Sequence, residues 1–158
     1  MGIRERIEDA EVLWHEGRAE GALLAALVAV SATARRKYPK RGDRDGFEQL
    51  LLDARTWRLS LEFRGSQEPI ERLLWKWFRC ELVHEGRLPV DIRLTPIKPN
   101  GDLSARAGGA PHYELQLSEA WLHHLLDVVV YEPTNSDLFP EGWREAASPA
   151  PQDAGPSR

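Results

Sequence analysis

The sequence predicts a mainly α-helical bundle carrying a small antiparallel β-element, and three observations lead there. Apolar residues recur at three and four positions over Ile3, Ile7, Ala10, Leu13 and Trp14, and again over Ile70, Leu73, Leu74, Trp77 and Phe78, the period of helices with one buried face. Residues 22–34, ALLAALVAVSATA, are apolar nearly all round, as a helix in the middle of a bundle must be. Shorter runs at about 57–64 and 88–117 alternate with a period of two, which places a β-element beside the helices.

Taken in order, the first helix starts at Ile3 and ends near Gly17, and the second spans about Ala19 to Tyr38. This hairpin also resembles a single tetratricopeptide unit, but nothing recurs about 34 residues later, so a solenoid is not expected. Residues 35–44, RRKYPKRGDR, hold six basic residues and one acidic one, and Pro39 with Gly42 makes them a loop. A short helix follows over Gly46 to Ala54. Trp57, Leu59, Leu61 and Phe63 then alternate with polar residues as a strand with one buried face. Gly65-Ser66 turns the chain into a helix over Gln67 to Arg87, with Pro69 in its first turn, where a missing N–H costs nothing.

Beyond Gly86 the alternating Leu88, Val90, Ile92 and Leu94, and later Tyr113, Leu115 and Leu117, predict a hairpin with a Gly-rich loop that could pair with the Trp57 strand. Ser118 reads as an N-cap of a last long helix holding Trp121, Leu122, Leu125, Leu126, Val129 and Val130. A further short helix is expected within Asn135 to Trp143. The organisation expected is one domain over 1–145 and a Pro-rich, disordered tail over 146–158.

Composition narrows the functional classes. With 158 residues, 42% hydrophobic and 29% charged, the chain can bury a real core. A net charge of -4 argues against a general nucleic-acid coat, so any nucleic acid must be drawn by a local patch. Cys80 is the only cysteine, which excludes an intramolecular disulfide and a Cys-rich zinc site and fits a reducing cytoplasm. No apolar run approaches the roughly 20 residues of a bilayer span, so no membrane association is expected.

The chemistry-bearing residues concentrate in the helix over 67–87. Its apolar side, continued, passes through Glu81 and His84, placing a carboxylate and an imidazole where core residues belong. Burying such groups costs several kcal/mol unless they are paired or face a cleft. Residue physics leaves two readings: a Glu81–His84 pair one turn apart with Arg79 solvated, or a site built from all three. Arg79 and His84, five steps of about 100° apart, diverge by roughly 140° on a straight helix, so a second copy or a kink must aim both at one target. The basic run has two readings as well. Arg35, Arg36, Lys37, Lys40 and Arg41 either steer phosphates or are a solvated helix end suited to the C-terminal dipole. His123 and His124, adjacent on the last helix, diverge too far to share a metal and are read as surface or dimer-face residues. His15 and His112 are read as structural, Cys80 as an inert buried thiol, and Trp75 as an interface aromatic.

The run Arg79-Cys80-Glu81-Leu82-Val83-His84, with the preceding apolar helices, resembles the arginine, four to six residues, histidine motif of HEPN domains. The resemblance covers roughly residues 3–90; where those nucleases often carry Asn, Asp or His after the arginine, this chain has Cys80. The resemblance implies a HEPN-like helical bundle and a homodimer whose paired motifs line one RNA-cleaving cleft without a metal or other cofactor. In that reading His84 moves the proton of a ribose 2′-hydroxyl, Arg79 stabilises charge on the phosphate, and Glu81 orients an imidazole. Such proteins often act as toxins or defence effectors silenced by an antitoxin-like partner. Two alternatives from other classes are a non-catalytic module that binds a nucleotide or partner protein, and a tetratricopeptide-like adaptor.

Overall fold

The computed structural model describes residues 2–108 and 113–144. The expected tail over 146–158, and His112, lie outside these residues. Three helices open the chain: α1 Ile3–His15, α2 Ala19–Lys37 and α3 Asp43–Asp53. A hairpin, β1 Ser60–Phe63 and β2 Ser66–Pro69, leads into a continuous helix made of α4 Ile70–Leu73, a π-turn Leu74–Arg79 and α5 Cys80–Glu85. Then come β3 Ile92–Thr95, β4 Ala105–Ala107, β5 Leu115–Ser118, α6 Ala120–Val130 and a 3-10 turn Pro133–Asn135.

The centre is α2. Leu23, Ala26, Leu27, Ala29 and Val30 are no more than 2% exposed, and small side chains let α1, α3 and α6 pack closely around them. The last segment closes over this helix: Asn135 Nδ2 donates to Thr33 Oγ1 at 2.9 Å and to the Val129 carbonyl at 2.9 Å. Arg144 ties α1 to α6 through Glu11 at 3.0 Å and Asp127 at 2.9 Å.

The expectation of a mainly α-helical, HEPN-like bundle with one antiparallel β-element is overturned. Of the described residues 54% are helical and 14% lie in strands of two small sheets, a mixed α/β arrangement. One sheet is the β1–β2 hairpin; Gln67 to Pro69, read as the start of a helix, are its second strand. Its turn, Arg64-Gly65, has φ of +51° and +80°, the two left-handed positions of a type I′ turn that matches strand twist. The other sheet has order β3-β5-β4 and contains a parallel pair. Ile92 lies beside Leu115 and Leu94 beside Leu117 in parallel register, so both strands turn their apolar residues to the same side. The chain must therefore cross over between them, and β4 is formed in that crossover, antiparallel to β5. Among the described residues β1 is not hydrogen-bonded to β4 or β3, so the expected pairing of the Trp57 strand with the later strands does not occur.

A buried ion pair joins the end of α3 to the start of α4. Arg55, just after α3, and Glu71, in the first turn of α4, have side chains 2% and 3% exposed and are hydrogen-bonded to each other. Arg55 Nε also donates to the Leu51 carbonyl at 3.2 Å. Its guanidinium is stacked on Trp57 at 4.6 Å and lies 5.7 Å from Trp121, which meets the His124 ring edge-on at 5.6 Å. His124 is thus half-buried rather than fully exposed. Burial and the nearby Arg55 push its imidazole from 6.5 down to about 4, so it is neutral in the fold.

Glu71→Ala is expected to destabilise the protein by about 3–5 kcal/mol, because Arg55 is left buried and uncompensated, a fall of about 10 °C in Tm. Replacing both Arg55 and Glu71 with Leu recovers most of that loss in thermal unfolding. His124 takes up a proton on unfolding between its ordinary value and about 4, so its contribution is present above pH 6.5 and is lost as the pH falls toward 4. Over that window, wild type should lose up to about 3 kcal/mol more than His124→Gln in denaturant titrations.

Candidate functional site

The surface that carries Arg79, Glu81 and His84 is set by the winding of the helix over 70–85. From Leu74 to Arg79 the turns are π rather than α, so each residue advances the helix by a smaller angle. Residues spaced by four then stay on one side: Ile70, Leu74, Phe78 and Leu82 are all 2% exposed or less. The core stripe therefore runs into Leu82. Glu81 is half-buried and His84 is exposed, and neither lies in the core as the straight-helix projection expected. Gly86, with φ +71°, ends the helix in the left-handed region and donates its N–H to the Leu82 carbonyl at 3.2 Å.

Arg79 is half-buried where this helix meets α2. Its guanidinium lies over the Trp75 ring at 4.5 Å, and its Nε donates to Ser31 Oγ at 3.4 Å. Trp75 in turn packs edge-on against Phe47 of α3 at 5.2 Å, so the expected interface aromatic is engaged within its own chain. One turn past Arg79, Val83 is 45% exposed and lines a groove of about 620 Å³ with Val12, Leu24 and Val28. Ser31, Val28 and Leu24 share one face of α2, so the guanidinium stands at the end of this apolar groove.

His84 makes no side-chain hydrogen bond or ion pair among the described residues, so of the two readings the Glu81–His84 pair is not formed. Glu81 instead contributes to the field that raises the Arg64 pKa, behind the Asp91 hydrogen bond. Arg79 and His84 are separated by α-helical turns of α5 and keep the divergence of about 140°, so one chain does not bring them together. Cys80 is half-buried rather than enclosed.

The basic run is largely paired with carboxylates. Arg35 meets Asp43 at 3.0 Å, Arg36 forms a forked contact with Asp137 at 2.7 and 2.8 Å, and Lys37 reaches Glu132 at 3.1 Å. Arg41 donates to Gln49 at 3.1 Å and lies 5.2 Å from the Tyr38 ring, while Lys40 is exposed at the turn. Arg35 is one helical turn from Ser31, on the face of α2 that meets Arg79. Its partner Asp43 is itself exposed, and such a surface pair exchanges readily for another anion.

Sequence reasoning missed Arg64. Held in the left-handed region, it makes two 2.8 Å hydrogen bonds to Asp91 and lies 4.1 Å from the Trp77 ring. An Arg-Gly pair between two alternating runs was the signal available, since a type I′ turn needs both residues at positive φ. Beside this turn, Glu62, Phe63, Arg64, Gly108, Tyr113 and Glu114 bound a cleft of about 460 Å³.

No helix among the described residues is long and apolar enough to cross a membrane. No curated protein and no solved structure matches the chain. A family model, described as Rv1289, matches residues 2–142, nearly the whole described region. The chain belongs to the Rv1289 family.

Proposed function

We propose that the protein is a metal-independent endoribonuclease whose reacting groups, Arg79 and His84, are completed by a second copy of the chain. The observation that carries this reading is the setting of Arg79. A guanidinium clamped between Trp75 at 4.5 Å and Ser31 at 3.4 Å is fixed in place, yet half-buried rather than sealed, as a group that receives a phosphate must be. The Arg79–His84 spacing supports it through its resemblance to the HEPN motif, a resemblance of the motif that does not extend to the architecture.

Divergence of the two groups within one helix makes pairing a requirement. The apolar groove beside Val83 is suited to it, with Val12 57% exposed and a rim bearing both signs of charge, Arg6 and Arg18 with Asp9 and Glu16. A two-fold contact there is self-complementary and carries each His84 toward the other chain's Arg79. In the shared cleft one imidazole removes the 2′-hydroxyl proton, the 2′-oxygen attacks the adjacent phosphorus, and the bond to the 5′-oxygen breaks. The partner's His84 protonates that leaving oxygen, and a 2′,3′-cyclic phosphate and a 5′-hydroxyl remain. Arg79 spreads its fork over the phosphate oxygens as charge builds on them. Glu81 lends negative charge near the imidazoles, and Arg35, Lys40 and Arg41 attract the flanking phosphates, with Arg36 and Lys37 behind them in their ion pairs. An antitoxin-like protein partner in a reducing cytoplasm would silence such an enzyme by covering this face.

A second reading, a non-catalytic module that binds a partner protein, is favoured by the same groove, since an apolar face can seat a foreign helix as well as a second copy. Purified protein incubated with end-labelled single-stranded RNA separates the two. The nuclease yields cyclic-phosphate ends, unchanged by EDTA, and Arg79→Ala or His84→Ala lowers the rate by at least about 100-fold. Identical background cleavage by all three proteins overturns the nuclease and leaves the binding module. The variants are fair controls: His84 is exposed and Arg79 gives up about 1 kcal/mol of stacking, so each should melt within about 4 °C of wild type.

A further inference from the structure

The cleft between the β1–β2 turn and the start of β5 has a composition that the Arg79 and His84 site does not use. Its volume is about 460 Å³, within the range of small-ligand sites. Phe63, 5% exposed, is anchored by the Trp77 ring at 5.6 Å, and Tyr113, 68% exposed, lies at the other side. Two acidic residues line it from separate strands: Glu62, exposed on β1, and Glu114 just before β5, the latter held by Arg93 at 3.2 Å and Gln116 at 3.4 Å. Gly65 and Gly108 lie at the rim, and among the described residues a Cβ on either would meet nothing within 4 Å. The Arg64 guanidinium, 43% exposed, is held at the edge by Asp91 and Trp77, within reach of the solvent in front of the cleft.

An inserted peptide strand is the first occupant to consider, since β1 and β4 each have an unpaired edge. Seating a strand between them would set them about 9.5 Å apart, twice the spacing of neighbouring strands. Cα atoms of β1 and β4 already approach within 8 Å, so a third strand does not fit. A flat ring does. Aromatic surface, two carboxylate acceptors and one cation at the rim match the three parts of a nucleotide: the base face, the hydrogen-bond donors on its edge, and the phosphate. Among the bases only guanine offers two adjacent donors, N1–H and N2–H, on its Watson–Crick edge, the pair a carboxylate accepts as a fork.

We propose that this cleft is a guanine-selective subsite for single-stranded RNA, with Tyr113 stacking on the base, Glu62 and Glu114 accepting from its edge, and Arg64 contacting its phosphate. It deepens the ribonuclease reading by naming a sequence preference, and it rests on that reading for its RNA ligand. Trp77, in the π-turn of the helix that carries Arg79, connects the two sites through Arg64.

Binding is measured by fluorescence anisotropy with fluorescein-labelled 2′-O-methyl pentanucleotides UUGUU and UUAUU, which no 2′-hydroxyl chemistry can cleave. The expected result is about tenfold tighter binding of UUGUU, a preference abolished by Glu62→Gln or Glu114→Gln. Tyr113→Ala weakens both oligonucleotides by about tenfold, since stacking does not read the edge. Equal affinities for the two sequences, a guanine preference untouched by both glutamine variants, or binding of an extended peptide at the cleft in place of either oligonucleotide overturns the inference. Cleavage of RNA without a base preference would remove this subsite and leave the nuclease, and guanine-selective binding by a protein that cleaves nothing would do the reverse.

Discussion

The winding of one helix decides what this protein shows to its surroundings. Six residues, Leu74 to Arg79, take π rather than α turns, and the apolar stripe is carried along positions 70, 74, 78 and 82. Had the backbone stayed α-helical, that spacing would have drifted by about 40° with each step and driven Leu82 toward solvent. The slower winding keeps Leu82 inside and delivers Arg79 to the seam with α2, while Val83 and His84 come out at the surface. Wide turns of this kind cost hydrogen-bond geometry, and they are frequently found beside functional groups.

What holds that helix is equally specific. Glu71 anchors its first turn to Arg55, and the guanidinium is closed in by Trp57 and Trp121. At its far end Arg79 is steadied by Ser31 and Trp75. Between these points Arg64 reaches over Trp77 from the hairpin that precedes the helix. Three arginines, each set against a tryptophan, thus brace one segment from three sides. Guanidinium groups suit this work because they are weakly hydrated and planar, and can stack while still donating hydrogen bonds.

The helices were legible because their signals are local. The three-and-four spacing of Ile3 to Trp14 and the all-round apolar face of 22–34 state which side is buried, and α1 and α2 follow them to within a residue or two. The sheets were not, since alternation says that Ile92, Leu94, Leu115 and Leu117 lie on strands but is silent about direction. Parallel and antiparallel pairings of these two runs bury the same four residues, and only the path of the chain between them decides. Ala105 to Ala107 escaped notice for a related reason, being too short and too small to produce a period. The outward position of His84 was hidden by the π-turn, as no residue in LWKWFR announces it. Arg79 could be found as a residue but not as a site, because Ser31 reaches it, and Phe47 reaches its neighbour Trp75, from elements that no local pattern connects.

The closing contacts of the fold join residues 102 and 101 positions apart: Thr33 is completed by Asn135 and Arg36 by Asp137. A chain growing from its amino end therefore makes α2 long before the groups that seal it exist, and the apolar flank of this helix stays wet until α6 and the residues near Phe139 arrive. During synthesis the molecule is in the condition of a house whose roof is delivered last. Any activity that depends on a well-seated α2 is thereby withheld from nascent and prematurely terminated chains, a timing imposed by topology alone.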